Sequence, residues 1–324
     1  MSIPLPAPVT VIVVSYQAAA QLPRCLAALA AQTRPPVRVI VIDNASTDGS
    51  AEIAEAAGAE VIRADANLGF AAANNRAAAT ADTEWIAFLN PDAYAAPEWL
   101  ERLLGAADRW PQADAFGSTQ LDANDPDRLD GIGDAYFFAG IPYRAGFGRS
   151  AWNLPPEGQV FGPCAAAALW RRTRFAALGG FEERFFCYGE DVDLAYRHRL
   201  AGGACVQVPD AVVHHEGSGI TGRRSDFTTY HGHRNRVWTY LRDTPPRLLA
   251  LSLPLHLVLG AYLAARLGLA GQLRPYLRAM RDAAKGAGPF LAERRALHAD
   301  AAPVARALTW SPRALLRRRA KTWR

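Results

Sequence analysis

From residue 9 to residue 89, apolar strand-like runs alternate with helical stretches, and no other feature constrains the fold as strongly. Val9-Thr10-Val11-Ile12-Val13-Val14 is continuously β-branched. With no break in that β-branched run, it lacks the polar alternation of a half-solvated strand and predicts a strand buried on both faces of a parallel sheet. Ala18 to Ala31 then reads as a helix, Val37 to Ile42 as a second buried strand, and Ala51 to Ala57 as a helix stopped at Gly58. Glu60 to Arg63 is a third strand, Ala71 to Ala79 a helix, and Trp85 to Leu89 a fourth strand closed by Asn90-Pro91-Asp92. This βαβαβαβ order implies an α/β fold with an open, mostly parallel sheet and flanking helices. Such sheets take their ligands beyond the carboxyl ends of the strands, where Ser15, Asp43 and Asp92 all fall.

The remainder is less regular. Residues from about 110 to 160 are rich in Gly, Pro, Asp and aromatics, and read as loops and short strands, a flap over the sheet. Val206 to Pro209 and Ala211 to His214 look like two short strands. The chain has 324 residues, half of them hydrophobic, enough for one large domain at 1–240 and an appended segment at 241–324. The four cysteines are widely spaced and form no Cys/His cluster, which argues against a zinc site or a disulfide framework and fits a reducing compartment.

The net charge of +5 conceals an asymmetry. From Arg242 onward there are 16 Lys and Arg against 4 Asp and Glu, a net +12, so the preceding body carries −7. Within the basic segment, Leu248 to Ala265 holds no charge and is bracketed by Arg247 and Arg266. Its length is at the lower limit for a spanning helix, while basic flanks suit a helix lying in an anionic membrane interface. The plainer alternative is a helical hairpin packed on the main domain. Arg317-Arg318-Arg319 beside Trp310 and Trp323 could contact nucleic-acid phosphates, but anionic lipid suits such a tail as well, and no nucleic-acid partner is expected.

Three carboxylates fall within four positions at Glu190-Asp191-Val192-Asp193, after Tyr188-Gly189 and before an apolar helical pattern running to about Ala201. A helix N-terminus stabilises such anions, which is the structural reading. Acids this crowded also repel, and a fold that keeps them together commonly uses one as a base. Asp48-Gly49-Ser50 reads chiefly as a helix cap.

Taken in order, Val9–Tyr16, the loop Asp43 to Ser50, Asn67-Leu68-Gly69-Phe70 with Asn74-Asn75, Asn90-Pro91-Asp92-Ala93, Gly179-Gly180-Phe181 and Glu190-Asp191-Val192-Asp193-Leu194 resemble glycosyltransferase family 2. Within it they are similar to the rhamnosyltransferase-like branch that builds bacterial surface polysaccharides. The resemblance covers residues 9 to 240 and implies a GT-A fold, a nucleotide-sugar donor, Mg²⁺ or Mn²⁺, and inversion at the anomeric carbon.

It also implies roles. Ser15, Tyr16, Asp43, Asn67, Gly69, Asn75 and Asp92 would bind the nucleotide donor. Asn90-Pro91-Asp92 stands where the family has its Asp-x-Asp metal motif. Asn90 offers only a neutral oxygen, leaving Asp92 as the direct ligand. A histidine after the strand at His214-His215-Glu216-Gly217 would complete the metal site, and the spacing to Gly217 assigns it to His214 rather than His215. Asp191 would be the base that deprotonates the acceptor hydroxyl, Glu190 would help orient the acceptor, and Asp193 would be structural. The expected acceptor is a glycan or lipid-linked glycan, and the expected location is the cytoplasmic face of the membrane. dTDP-rhamnose is the favoured donor. A sugar-nucleotide-binding scaffold without catalysis is the alternative that Asn90 favours.

Overall fold

The computed structural model describes residues 6–217, 225–297 and 302–324. Its opening follows the alternation read in the sequence: β1 (Ala7–Ser15), α1 (Leu22–Ala30), β2 (Pro36–Asp43), α2 (Ser50–Ala56), β3 (Glu60–Arg63), α3 (Gly69–Ala78) and β4 (Trp85–Leu89). β3, β2, β1 and β4 lie side by side and parallel, with Ser15 level with Asp43 in the β1–β2 register. Val9, Val11, Ile12 and Val13 are fully buried, as the unbroken β-branched run requires.

Beyond β4 the sheet becomes mixed. β5 (Ala93–Ala95) and α4 (Trp99–Arg109) lead to β6 (Ala115–Asp122), a full central strand inside the stretch expected to be loops and short strands. Its polar residues Ser118, Thr119 and Gln120 are buried, which disguised it in the sequence. Ser118 is satisfied by the indole N–H of Trp99 at 2.8 Å, and Gln207 donates to Thr119. The short β7 (Leu129–Gly131) pairs with β6, and β8 (Asp134–Phe137) and β9 (Ile141–Arg144) form a separate hairpin. β10 (Gly158–Val160), β11 (Ala167–Arg171), α5 (Arg172–Ala177) and α6 (Glu190–Leu200) follow. The two short strands expected near residue 210 are one strand, β12 (Cys205–His215), broken by a register shift between Val208 and Val212. Among the described residues the main sheet has ten strands and runs β10-β12-β6-β11-β4-β1-β2-β3 along its path.

The basic segment is helical: α7 (Asp226–Asp243), α8 (Pro246–Leu269), α9 (Leu273–Lys285), α10 (Ala287–Leu297), α11 (Ala302–Ala307) and α12 (Pro312–Leu316). It is not simply a tail. Arg242 is buried against Asp193, Glu182 and Asp243, so α7 is locked to α6. Phe137 bridges to Thr309 and Gln159 to Trp323, while Trp310 stacks on Phe138 and Arg318 lies over Phe147. Residues expected to await an anionic partner are therefore partly used in packing.

α8 differs. It is long and apolar enough to cross a membrane, yet its outer face is open to solvent, with Leu251 73%, Leu257 63%, Val258 63% and Leu269 93% exposed. Its inner face is held by His256, which lies flat against Tyr240 and hydrogen-bonds the Ala139 carbonyl at 2.9 Å.

Candidate active site

The carboxyl edge of the parallel strands opens into a cleft made of two adjoining cavities. The first is lined by Tyr16, Asn44, Asn67, Gly69, Asp92 and His215, and the second by Asp134, Cys164, Glu190 and Asp191; Phe70, Asn90, Arg144, Cys187 and Tyr188 border both. The cleft thus brings together the acids at the end of β4 and those at the start of α6, which are far apart in sequence.

On the β1–β2 side, Tyr16 is 40% exposed and forms part of the wall. Ser15 and Asp43 end their strands but are buried and do not line the cavity. One Asp43 oxygen accepts from the Ser46 amide at 3.2 Å, while the other, like the Ser15 hydroxyl, has no hydrogen-bond partner among the described residues. Asn44, which the sequence did not single out, takes the lining position. Its amide donates to Asn67 Oδ1 at 2.9 Å and accepts from the Leu68 N–H at 2.8 Å, tying the β2 end to the start of α3. Gly69 has φ +81°, and a Cβ there would meet the Phe186 carbonyl at 2.5 Å, so only glycine permits this approach. Asn75 is not in the cleft. Its side chain accepts from the Phe181 N–H and donates to the Phe181 carbonyl, fixing the loop after Gly180. Asp48 accepts from the Ser50 amide and hydroxyl and from the Ala19 N–H, tying the start of α2 to the loop after β1, while the cap position of α2 is Gly49 with no side-chain cap.

At the β4 end, the histidine beside Asp92 is His215 and not His214. The register shift in β12 sets the parity that turns His215 toward the cleft, and glycine spacing alone could not reveal it. His214 is half-buried on the other face, opposite Tyr94. His215 Nε2 lies 3.2 Å from Asp92 Oδ1 and 3.4 Å from the Asn90 amide nitrogen, and its Nδ1 lies 2.7 Å from Asp130 Oδ2. Burial works against the charged imidazole, but hydrogen bonds to Asp130 and Asp92 prevail and raise its pKa. Asp130 also binds Arg144. A carboxylate, an imidazole nitrogen and a carboxylate behind the imidazole form a donor set that suits Mn²⁺ or Mg²⁺ with substrate phosphate oxygens.

At the α6 end, Asp191 Oδ2 accepts from the Ala165 N–H at 3.1 Å and Oδ1 from the Val192 N–H at 2.8 Å. Glu190 is buried, and burial followed by the neighbouring Asp191 charge pushes its carboxyl well above the usual range. Asp193 faces away from the cleft, paired with Arg197 at 2.8 Å and with Arg242, in line with a structural role. Asp134, Cys164 and Asp191 each bring one ligand-type atom within 4.8 Å of the others. Burial pushes the Cys164 thiol up to about 12, so it stays a neutral thiol.

The approach to α6 is strained. Phe186 and Tyr188 have φ +65° and +71°, uncommon for aromatic residues. The amide nitrogen of Asn235, on α7, lies 2.7 to 3.0 Å from the carbonyls of Phe185, Cys187 and Tyr188 and holds this loop. A lone Asn inside a helix gave no signal of that role.

The architecture matches solved sugar transferases. The structure of S. aureus TarS 1–349 in complex with UDP-GlcNAc aligns with TM-score 0.58 at 19% identity, covering 85% of this chain and 80% of that one. The mannosyltransferase PcManGT from Pyrobaculum calidifontis, in complex with GDP-Man and Mn²⁺, aligns with TM-score 0.52 at 20% identity, covering 94% and 85%. The fold is therefore the GT-A fold of nucleotide-sugar transferases. In sequence, the chain is 32% identical over 258 residues to the N-acetylglucosaminyl-diphospho-decaprenol L-rhamnosyltransferase of Mycobacterium tuberculosis, covering 72% of this chain and 83% of that protein. The profile of glycosyl transferase family 2 matches residues 10–171, and the chain belongs to that family.

Proposed function

We propose that this protein is an inverting glycosyltransferase that moves a sugar, with dTDP-rhamnose the favoured donor, onto a hydroxyl of a lipid-linked glycan during cell-surface polysaccharide synthesis. The observation that carries this reading is the single cleft in which Asp191 lines one cavity, Asp92 and His215 line the next, and Arg144 borders both. The name of the M. tuberculosis relative supports rhamnose as the sugar and a prenyl-diphosphate glycan as the acceptor.

The mechanism follows from the charges. The base side of the cleft supplies Asp191, whose two oxygens each accept one backbone N–H, which fixes the orientation of its carboxyl group. Asp191 accepts the proton of the acceptor hydroxyl as that oxygen bonds to the anomeric carbon and the bond from that carbon to the diphosphate breaks. Such assistance is typically worth ~10²–10⁴-fold in rate. Direct displacement inverts the anomeric centre and needs no second nucleophile. Asp92 and His215 would hold Mg²⁺ or Mn²⁺, which when bound neutralises the departing diphosphate as a Lewis acid. Asn44, Asn67 and Tyr16 would contact the nucleoside, with Asp43 behind them. Glu190, protonated, can donate a hydrogen bond to a sugar hydroxyl.

We further infer that the outer face of α8, with Arg247 and Arg266 near its ends and Arg274 and Arg278 on α9, rests on the anionic cytoplasmic face of the membrane, where a lipid-linked acceptor resides. The test of the overall reading is transfer by purified protein with Mn²⁺, using a panel of nucleotide sugars and a prenyl-diphosphate-linked N-acetylglucosamine acceptor, with product configuration read by NMR. An inverted product is expected. A retained configuration, or donor binding without transfer to any acceptor of this class, would contradict it.

A further inference from the structure

Behind Asp191 lies an acid to which the proposed reaction assigns no role. Asp134 opens β8, 7% exposed, with its N–H bonded to the Gly162 carbonyl at 2.8 Å. Its carboxyl, the Cys164 sulfur and the Asp191 carboxyl converge within 4.8 Å. Across the β8–β9 hairpin, Asp134 is level with Arg144, whose guanidinium is engaged by Asp130 and by the Cys164 sulfur at 3.4 Å. Its Oδ2 is buried with no hydrogen-bond partner among the described residues.

We propose that Asp134 is a positioning residue for the base, its carboxyl group donating a hydrogen bond to Asp191 and fixing which oxygen of Asp191 meets the acceptor hydroxyl. Two carboxyl groups this close do not both ionise, so the pair holds a proton. Asp191 already receives two backbone N–H groups, so its oxygens are placed as acceptors. Asp134 is enclosed and receives none of those donors, so the proton sits there. The direction of its pKa agrees: burial first, then the charge of Asp191, raise it well above the usual range despite nearby Arg144. The titratable and charged groups facing the pair are Glu190 from α6, Tyr143 and Arg144 from β9, Cys164 from the segment before β11, and Cys187 and Tyr188 from the loop before α6.

This inference rests on Asp191 being the base, so the experiment includes Asp191→Asn as a separate arm. Rates against pH, affinity for the donor nucleotide and melting temperature are measured for wild type, Asp134→Asn and Asp134→Ala. Asp134→Asn keeps a hydrogen-bond donor in the same shape and should retain kcat within about tenfold. Asp134→Ala removes the donor and should lower kcat by about 10²-fold, the cost of a misoriented catalytic group. Its donor affinity should be unchanged, and its acid limb should move to higher pH because the base loses a bond that favours the anion. Wild-type kcat with an unmoved acid limb in a folded Asp134→Ala protein would overturn the proposal. Equal loss in the Asn and Ala variants would overturn it too, since the donated hydrogen bond would then not be the cause. An active Asp191→Asn enzyme would instead remove the base assignment.

Discussion

His215 Nε2 lies 3.2 Å from Asp92 Oδ1, while its Nδ1 is held 2.7 Å from Asp130 Oδ2. The second contact fixes the ring: with Nδ1 held by Asp130, Nε2 is the nitrogen left facing Asp92, and it would become a ligand when a cation rather than a proton lies between them. Second carboxylates behind metal-binding histidines are typically worth 10–100-fold in affinity. Replacing His215 by Ala should therefore weaken Mn²⁺ binding in the presence of donor nucleotide strongly, and Asp130→Asn by ~10–100-fold, both read by calorimetry. His214→Ala should leave the affinity unchanged, because its side chain belongs to the opposite face of β12.

Asn235 holds three carbonyls of a loop containing two positive-φ aromatics. Asn235→Ala leaves buried acceptors without that partner and should cost about 1–3 kcal/mol in urea unfolding. Because Tyr188 and Gly189 set the start of α6, kcat should fall with it. Wild-type stability and rate in this variant would remove the clamp from the account.

Acid should destabilise the α6–α7 junction. Burial disfavours the Glu182 carboxylate, but Arg184 and Arg242, each with a guanidinium nitrogen 2.6 Å away, hold its pKa down to about 2. An unfolded glutamate titrates near ~4.3. The folded value is depressed, so this contribution is complete above the unfolded value and is lost as pH falls from about 4.5 toward 2. Solvent screening at this partly exposed junction reduces it to roughly 1–2 kcal/mol. Glu182→Gln should flatten the dependence of unfolding free energy on pH in that window; an unchanged slope would contradict the assignment.

Leu257 and Val258 are each 63% exposed on α8, so charges there cost the fold little. The double change Leu257→Glu with Val258→Glu should abolish co-flotation with vesicles containing anionic phospholipid while leaving melting temperature unchanged. Co-flotation equal to wild type would remove the membrane from the reading.

Much of the fold was legible because its signals are local. The β-branched runs of β1 and β2 and the apolar run of β4 announce a buried parallel sheet, and Asp92 and Asp191 fall where such a sheet gathers its ligands. What escaped depends on contacts distant in sequence. The polar interior of β6 looks like loop until Trp99 and Gln207 are known to satisfy Ser118 and Thr119. The choice of His215 over His214 depends on a register shift, which inverts parity without altering composition. Asn75 resembles a nucleotide ligand in its motif, yet pins Phe181 instead. Asn44 lies in the Asp43–Ser50 loop, but only the fold shows that it, and not Asp43, lines the cleft; Asp130, Asp134 and Asn235 carry no motif, and only folding brings them to the cleft or its supports.

If Asp191 takes the acceptor proton, removing its charge slows transfer and spares donor binding. Single-turnover transfer by Asp191→Asn, alongside calorimetric donor affinity with Mn²⁺, tests it most directly. A rate lower by at least ~10²-fold with donor affinity within about twofold of wild type is the result expected. Transfer at the wild-type rate would contradict it.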